Sequence, residues 1–432
     1  MSFPRYPAYK DSGVEWLGDV PEHWEVWKLS HAFTQIGSGT TPKTDNRDYY
    51  EGGDIPWVNT GDFNDRELDE CDKRITELAI VDHSALKTYP PGSLLIAMYG
   101  ATIGKLAILN FAATVNQACC VFAGPSEIAS KFMFYWFLGL REQIISLATG
   151  GGQPNISQDI LRSLRVAIPV LLHQAQIVSF LDHQTSKIDA LIAEQQRLIE
   201  LLQEKRQVVI SHAVTKGLNP NAPMKDSGVE WAPKLPEHWT AKHLKRNVRL
   251  LTEKTDTTEC HVGLENLEGW TGRFIQTESD FQSEGVGFEA DDILFGKLRP
   301  YLAKVWLADR NGEAIGDFHV LRPYERVNPR FIQYQLLTRE VVDLVDGSSY
   351  GAKMPRASWG FLGCLEMPSP PAEEQLAIAC FLDRETAKID ALIAEAPRAI
   401  KLLQERRSAL ISAAVTGQID VRGLVEVGSS EQ

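Results

Sequence analysis

A chain that repeats its own frame has to build that frame twice. Lys10-Asp-Ser-Gly-Val-Glu-Trp16 recurs letter for letter as Lys225-Asp-Ser-Gly-Val-Glu-Trp231, and Pro21-Glu-His-Trp24 recurs as Pro236-Glu-His-Trp239. A second pair follows, Phe180-Leu-Asp-His-Gln-Thr-Ser-Lys-Ile-Asp-Ala-Leu-Ile-Ala-Glu194 against Phe381-Leu-Asp-Arg-Glu-Thr-Ala-Lys-Ile-Asp-Ala-Leu-Ile-Ala-Glu395. The first repeat is offset by 215 residues and the second by 201, so the later insert is shorter by about fourteen residues, a difference that loops absorb. The sequences between the repeats hardly resemble each other. Dissimilar inserts in a duplicated frame suit a molecule that reads two different things with one geometry.

The 432 residues suffice for two or more domains with cores of their own. The six cysteines, Cys71, Cys119, Cys120, Cys260, Cys364 and Cys380, form no C-x-x-C pair, and they read as core thiols in a reducing cytosol. The first residues carry no apolar signal core. The longest aromatic run, Phe132 to Leu140, is closed by Lys131 and Arg141 and is too short to span a bilayer. A cytoplasmic chain with no membrane partner is expected. A net charge of −13 argues against holding nucleic acid through bulk electrostatics alone, so any such contact must use local basic residues or a partner's surface.

The pattern along the chain predicts an α+β protein with two recognition modules in a pseudo-two-fold arrangement, separated by two long antiparallel helices that form a coiled coil. Residues 1–29 read as an extended, Trp- and Pro-rich lead-in. Residues 30–167 form the first module, with strands over Leu94–Met98, Lys105–Leu109 and Val115–Phe122 and a helix from Pro125-Ser-Glu127 to about Ala148. Residues 168–239 hold a long helix at roughly 174–214 and the second lead-in. Residues 240–366 form the second module, with strands at Asp292–Phe295 and Lys304–Leu307 and a helix opened by Asn328-Pro329. Residues 367–432 hold the second long helix, roughly 374–415.

Heptad spacing in the first long helix places Leu181, Ile188, Gln195, Leu202 and Val209 on one seam, with Leu191 and Leu198 between them and Ile192 and Ile199 widening the stripe. In the second, Leu382, Ile389, Ala396, Leu403 and Leu410 recur with Leu392. The two seams are expected to pack on each other. Pro397 should kink the second helix without ending it.

Motifs for catalysis are missing. Gly100-Ala-Thr-Ile-Gly-Lys-Leu106 is one residue short of a phosphate loop and has Leu106 where Ser or Thr would hold Mg²⁺. Gly150-Gly-Gly-Gln-Pro-Asn155 lacks G-x-G-x-x-G spacing, and there is no Asn-Pro-Pro-aromatic tetrapeptide. His23 and His238 sit beside Trp24 and Trp239 at equivalent repeat positions, which reads as packing rather than metal ligation. No catalytic residue and no metal ligand is expected.

Three kinds of segment could touch nucleic acid. The loops 150–157 and 348–358 align at Pro154 with Pro355 and at Ser157 with Ser358; they offer Gln153 and Asn155 in one copy and Tyr350, Lys353 and Arg356 in the other. Such side chains hydrogen-bond base edges and phosphates, although a solvated loop whose serines cap the next turn is the simpler alternative. The stretch 40–47 adds Lys43, Asn46 and Arg47. Lys105 in the first module matches Lys304 in the second, where Lys297, Arg299 and Tyr301 precede it.

Lys10-Asp-Ser-Gly-Val-Glu-Trp-Leu-Gly18 with Pro21-Glu-His-Trp24, Pro370-Pro-Ala-Glu-Glu-Gln375, the Phe-Leu-Asp…Lys-Ile-Asp-Ala-Leu-Ile helices and the endings Ala213-Val-Thr215 and Ala414-Val-Thr-Gly417 together resemble the specificity (S) subunits of type I restriction-modification systems. The likeness covers almost the whole chain, with Leu171-Leu-His-Gln174 departing from the acidic Glu-Gln element in the first copy. The resemblance implies that each module reads one half of a split double-stranded DNA target, and that the helices fix the spacer. It further implies docking of two modification (M) subunits, which methylate adenine, and of restriction (R) subunits in the full complex. S-adenosylmethionine, ATP and Mg²⁺ are then expected on those partners and no cofactor on this chain. A coiled-coil scaffold with two protein-binding modules is the rival reading.

Overall fold

The computed structural model describes residues 3–149, 154–255, 260–277, 285–351 and 353–424. The chain forms two compact units, residues 1–194 with 399–432 and residues 195–398. Each unit takes the first part of one long helix and the last part of the other, as an antiparallel pair requires.

In the first unit the lead-in is extended, as its prolines and tryptophans predict: Tyr9–Asp11 pairs antiparallel with Asp19–Pro21. Glu25–Lys28 then pairs with Arg165–Ile168, which brings the two ends of the module together. Between them lies a mixed five-stranded sheet in the order Phe33–Gly37, Cys119–Pro125, Leu94–Ala97, Leu106–Leu109, Arg66–Leu68. One face of this sheet packs against the helix Ser130–Gly139 in a core that holds Phe122, Phe132, Trp136, Leu181 and Ile411.

The second unit repeats this plan. Met224–Asp226 pairs with Lys234–Pro236, and Thr240–His243 pairs with Glu366–Ser369. The sheet order is Val248–Leu251, Phe318–Pro323, Ile293–Gly296, Val305–Leu307, the same succession of first strand, last strand and central hairpin. Topology is conserved between inserts that share almost no side chains.

The module helices depart from expectation. Pro125-Ser-Glu127 does not open a helix: Pro125 ends a strand, Glu127 is left-handed at φ 54°, and the helix begins at Ser130. It also breaks at Leu140, where ψ of 18° ends one helix and a shorter one, Arg141–Ser146, starts. The second module breaks likewise, into Pro329–Leu336 and Arg339–Gly347; there the expected start holds, since Asn328 accepts a hydrogen bond from the Phe331 amide at 2.9 Å.

The long helices span Leu171–Lys216 and Ala372–Val415, and the second runs through Pro397. Each is fastened to its module in the same way. Gln174 accepts from the Ala129 amide at 2.7 Å and donates to the Pro169 carbonyl, while Gln375 accepts from the Asn328 amide at 2.9 Å and donates to Pro370. Farther along, the Tyr135 hydroxyl donates to Asp182 and the Tyr334 hydroxyl to Asp383, at 2.5 and 2.6 Å.

The inward face of the helices corrects three of the ten expected packing positions. Leu181, Ile188, Leu202, Leu382, Ile389 and Leu410 are buried, and Leu403 is half-buried against the first unit's core. Leu191, Leu198 and Leu392, expected to pack, are instead 45%, 42% and 51% exposed. The inner row runs four residues on from the heptad leucines, not three, through buried Thr185, half-buried Ile192 and Ile199, and buried Arg206. Polarity misleads here because Thr185 and Thr386 satisfy their hydroxyls on the carbonyls of Leu181 and Leu382 at 2.7 Å, so they are buried without an unmet hydrogen bond. No helix among the described residues is long and apolar enough to cross a membrane.

Candidate nucleic-acid interface

In each module two loops meet at one end of the sheet. The loop that leaves the central strand and the loop that follows the broken helix are joined by backbone hydrogen bonds. In the first module the Ile156 amide donates to the Met98 carbonyl at 2.8 Å, and Thr149 and Asn155 exchange two bonds at 3.0 Å. In the second the Ala357 amide donates to the Lys297 carbonyl at 2.8 Å, Arg356 to Tyr350 at 3.0 Å and Tyr350 to Arg356 at 3.3 Å. The aligned serines cap the next turns, Ser157 Oγ accepting from the Ile160 amide and Ser358 Oγ from the Phe361 amide, each at 3.2 Å. The capping expected of the two serines is therefore present in both loops.

The second module gathers its charge at this junction. Arg299, Tyr301, Tyr350, Lys353 and Arg356 are exposed, and Lys297 is half-buried. Arg299 and Ala303 adopt left-handed φ of 51° and 46° around a 3-10 turn, Pro300–Leu302. Non-glycine residues hold that conformation at a cost of about 1 kcal/mol each, so surrounding contacts must fix the turn. One of them is the Arg299 amide, which donates to the Pro355 carbonyl at 2.8 Å. Asp317 sits beside the basic groups, 3.0 Å from Arg356 Nη2 and 3.8 Å from Lys297 Nζ. Beneath them His319 Nε2 lies 3.0 Å from the Ala357 carbonyl; since a carbonyl only accepts, that nitrogen carries the proton. Burial pushes the His319 pKa down, so the imidazole stays neutral and adds no charge.

Lys304 differs from the other candidates. Its ammonium donates to the Leu264 carbonyl at 2.6 Å, which ties it to the module's own backbone. Lys105, at the matching strand position, is exposed.

In the first module the junction carries exposed Asn155, while Gln153 lies outside the described residues. Lys43 is exposed on the 40–47 stretch, whose start is held by the Thr41 hydroxyl donating to Gln117. Asn46 instead caps a 3-10 turn through the Asp48 amide at 3.1 Å, and Arg47, on that turn, pairs with Glu51 at 3.6 Å. These two belong to a small lobe built on the helix Glu77–Asp82, where the Tyr49 hydroxyl donates to Asp82. Sequence reasoning missed Tyr99, bridged to Asn155, and Asp317. An offset of 201 residues from Asn155 points to Arg356, but no linear signal points to Asp317, which arrives from another strand.

The arrangement presents an exposed amide at Asn155 in one module and an exposed guanidinium at Arg356 in the other, each on two loops joined by backbone hydrogen bonds. No cluster of three potential metal ligands occurs among the described residues.

Comparison with known proteins points the same way. Residues 21–202 match the type I restriction modification DNA specificity domain. Among curated relatives, the type I restriction enzyme EcoDI specificity subunit of Escherichia coli is 21% identical over 70% of this chain and 73% of its own length. The MjaVIII specificity subunit of Methanocaldococcus jannaschii is 23% identical over 94% of this chain and 95% of its own. Two solved structures share the fold at 14% identity, each covering 92% of this chain and 98% of the other. A chain from work on the complex assembly and conformational transition of the type I R-M system aligns with a TM-score of 0.70, and the HsdS subunit from Thermoanaerobacter tengcongensis with 0.55.

Proposed function

We propose that this chain is a specificity subunit of a type I restriction-modification system, a non-catalytic member of its complex, and that its two modules each read one half of an asymmetric, bipartite DNA target. The observation that carries this reading is the junction built twice, with one backbone pattern and different side chains: Met98, Thr149 and Asn155 in one module, Lys297, Tyr350 and Arg356 in the other. A common scaffold with divergent exposed donors is what two different half-sites demand. The long helices, the first of 46 residues and so roughly 69 Å at 1.5 Å per residue, set the spacer between the half-sites.

Two M subunits dock on this frame and bring S-adenosylmethionine for adenine methylation. R subunits join them with ATP and Mg²⁺ for restriction. The net charge of −13 fits this division, because the partners then supply much of the basic surface that holds DNA.

Replacing residues 30–167 by the corresponding module of another specificity subunit tests the reading. Sequencing of methylated adenines in cells carrying the hybrid complex should show one half-site changed and the other retained. Simultaneous change of both halves would overturn the modular assignment. A protein-binding scaffold predicts no sequence-specific methylation at all.

A further inference from the structure

Within that reading, we propose that residues 155 and 356 occupy one and the same base-reading position, and that Asn155 selects adenine in one half-site while Arg356 selects guanine in the other.

The positions are structurally equivalent. Each residue is bridged on one side to the loop of the central strand, Tyr99 with Asn155 and Leu298 with Arg356, and on the other to the end of the broken helix, Thr149 and Tyr350. The next residue, Ile156 or Ala357, is buried, and its amide is anchored on the Met98 or Lys297 carbonyl. In extended backbone successive side chains alternate, so anchoring the buried neighbour turns residue 155 or 356 outward. Both are exposed.

The side chains match the two purines in opposite ways. An asparagine amide presents one donor and one acceptor, which pair with N7 and the N6 amino group of adenine; a guanidinium presents only donors, which pair with O6 and N7 of guanine.

A second strand supports the assignment independently. The Met98 amide donates to the Ala118 carbonyl at 2.8 Å, and the Lys297 amide donates to the Asp317 carbonyl at 2.9 Å, so Ala118 and Asp317 are also equivalent. The acidic residue therefore appears only in the module whose reading position holds arginine. Asp317 takes one N–H of Arg356 and leaves the rest of the fork open, with the Arg356 side chain still 44% exposed. An ion pair that exposed contributes little to folding, but it removes rotamer freedom that binding would otherwise have to remove. A neutral amide at position 155 has no charge for a carboxylate to orient, and alanine suffices there.

The test uses the full chain co-expressed with its M subunits, with every methylated adenine in the host genome located by sequencing. The native motif should carry a G·C pair in the half-site read by the second module. Arg356→Ala should reduce preference for that pair alone, by about ten- to a hundred-fold, with the other half-site intact. Asn155→Ala should relax one A·T pair in the other half. Asp317→Asn preserves the backbone and should weaken discrimination at the Arg356 base only, which settles the matter should Arg356→Ala fail to assemble. Variants that methylate with unchanged base preference, or that lose preference evenly along the motif, overturn the assignment. A native chain that directs methylation to no bipartite motif would instead remove the functional reading beneath it.

Discussion

The two copies of the frame hold the same ion pair in different surroundings. Asp189 and Asp390 are equivalent, as are Arg206 and Arg407, and each unit pairs one of each across its two helices. In the second unit Arg206 and Asp390 are both buried, and Arg206 also donates to the carbonyls of Trp270 and Thr271 while Arg273 reaches the other oxygen of Asp390 at 2.8 Å. A loop of the second module thus closes over the pair. In the first unit Arg407 and Asp189 meet at 2.9 Å, but their side chains remain 27% and 45% exposed. The lesson is that a repeated sequence specifies the contact, whereas the divergent insert decides how much that contact matters.

The lead-in corner differs in the same fashion. In the second unit Glu374 accepts from the Trp239 indole at 2.9 Å and lies 2.6 Å from His238 Nε2. The first unit has His173 at that position, so the departure noticed in the sequence changes a real contact. His173 stacks on His23 at 5.8 Å and meets the Tyr6 hydroxyl at 2.8 Å, while the buried Trp24 indole nitrogen finds no partner among the described residues. Arg422 lies over the Tyr6 ring at 5.0 Å. Burial, followed by the positive field of Arg422, pushes the His173 pKa down to about 4 and that of His23 down as well.

Breaking the buried pair should have the largest effect. Arg206→Ala leaves Asp390 buried beside Arg273 alone and strips two carbonyls of their donor, which should destabilise the second unit by about 3–5 kcal/mol. Hydrogen exchange followed by mass spectrometry should show faster exchange in peptides covering 200–210 and 268–277. Unchanged protection there would remove the distinction between the copies.

An intermediate effect is expected from acid, and in the first unit's lead-in corner. Both histidines have folded pKa values below the unfolded value near 6.5, so the unfolded chain binds more protons and stability rises with pH across this window. Stability of that corner should therefore be lost as pH falls from about 6.5 towards about 4. His173→Gln should flatten the profile in urea unfolding followed by exchange in peptides around Trp24. A variant that keeps the native slope would place the proton uptake elsewhere.

The smallest effect belongs to Arg407→Ala. At its exposure the pair with Asp189 should contribute less than about 1 kcal/mol, and added salt should shrink even that. A loss as large as that of Arg206→Ala, measured by the same exchange experiment on peptides of the first unit, would show that exposure does not govern the difference.

Much of this molecule was legible in one dimension. Letter-for-letter repeats predicted two frames, prolines and tryptophans predicted extended lead-ins, and apolar recurrence predicted two long helices that the structure extends by only a few residues. Local chemistry governs these features, since turn residues and amphipathic faces act over a few positions. The exposed Leu191, Leu198 and Leu392 mark where that logic stopped: hydropathy ranks leucine above threonine and arginine, but a threonine satisfied by the preceding turn and an arginine met by an aspartate and two carbonyls take the inner row. Tertiary structure alone decided that Asp317 stands beside Arg356, that Lys304 is tied to Leu264, and that one ion pair is covered while its twin is open. Each depends on a strand or loop brought from far along the chain, and its energy follows from burial, which no single residue carries in its own identity.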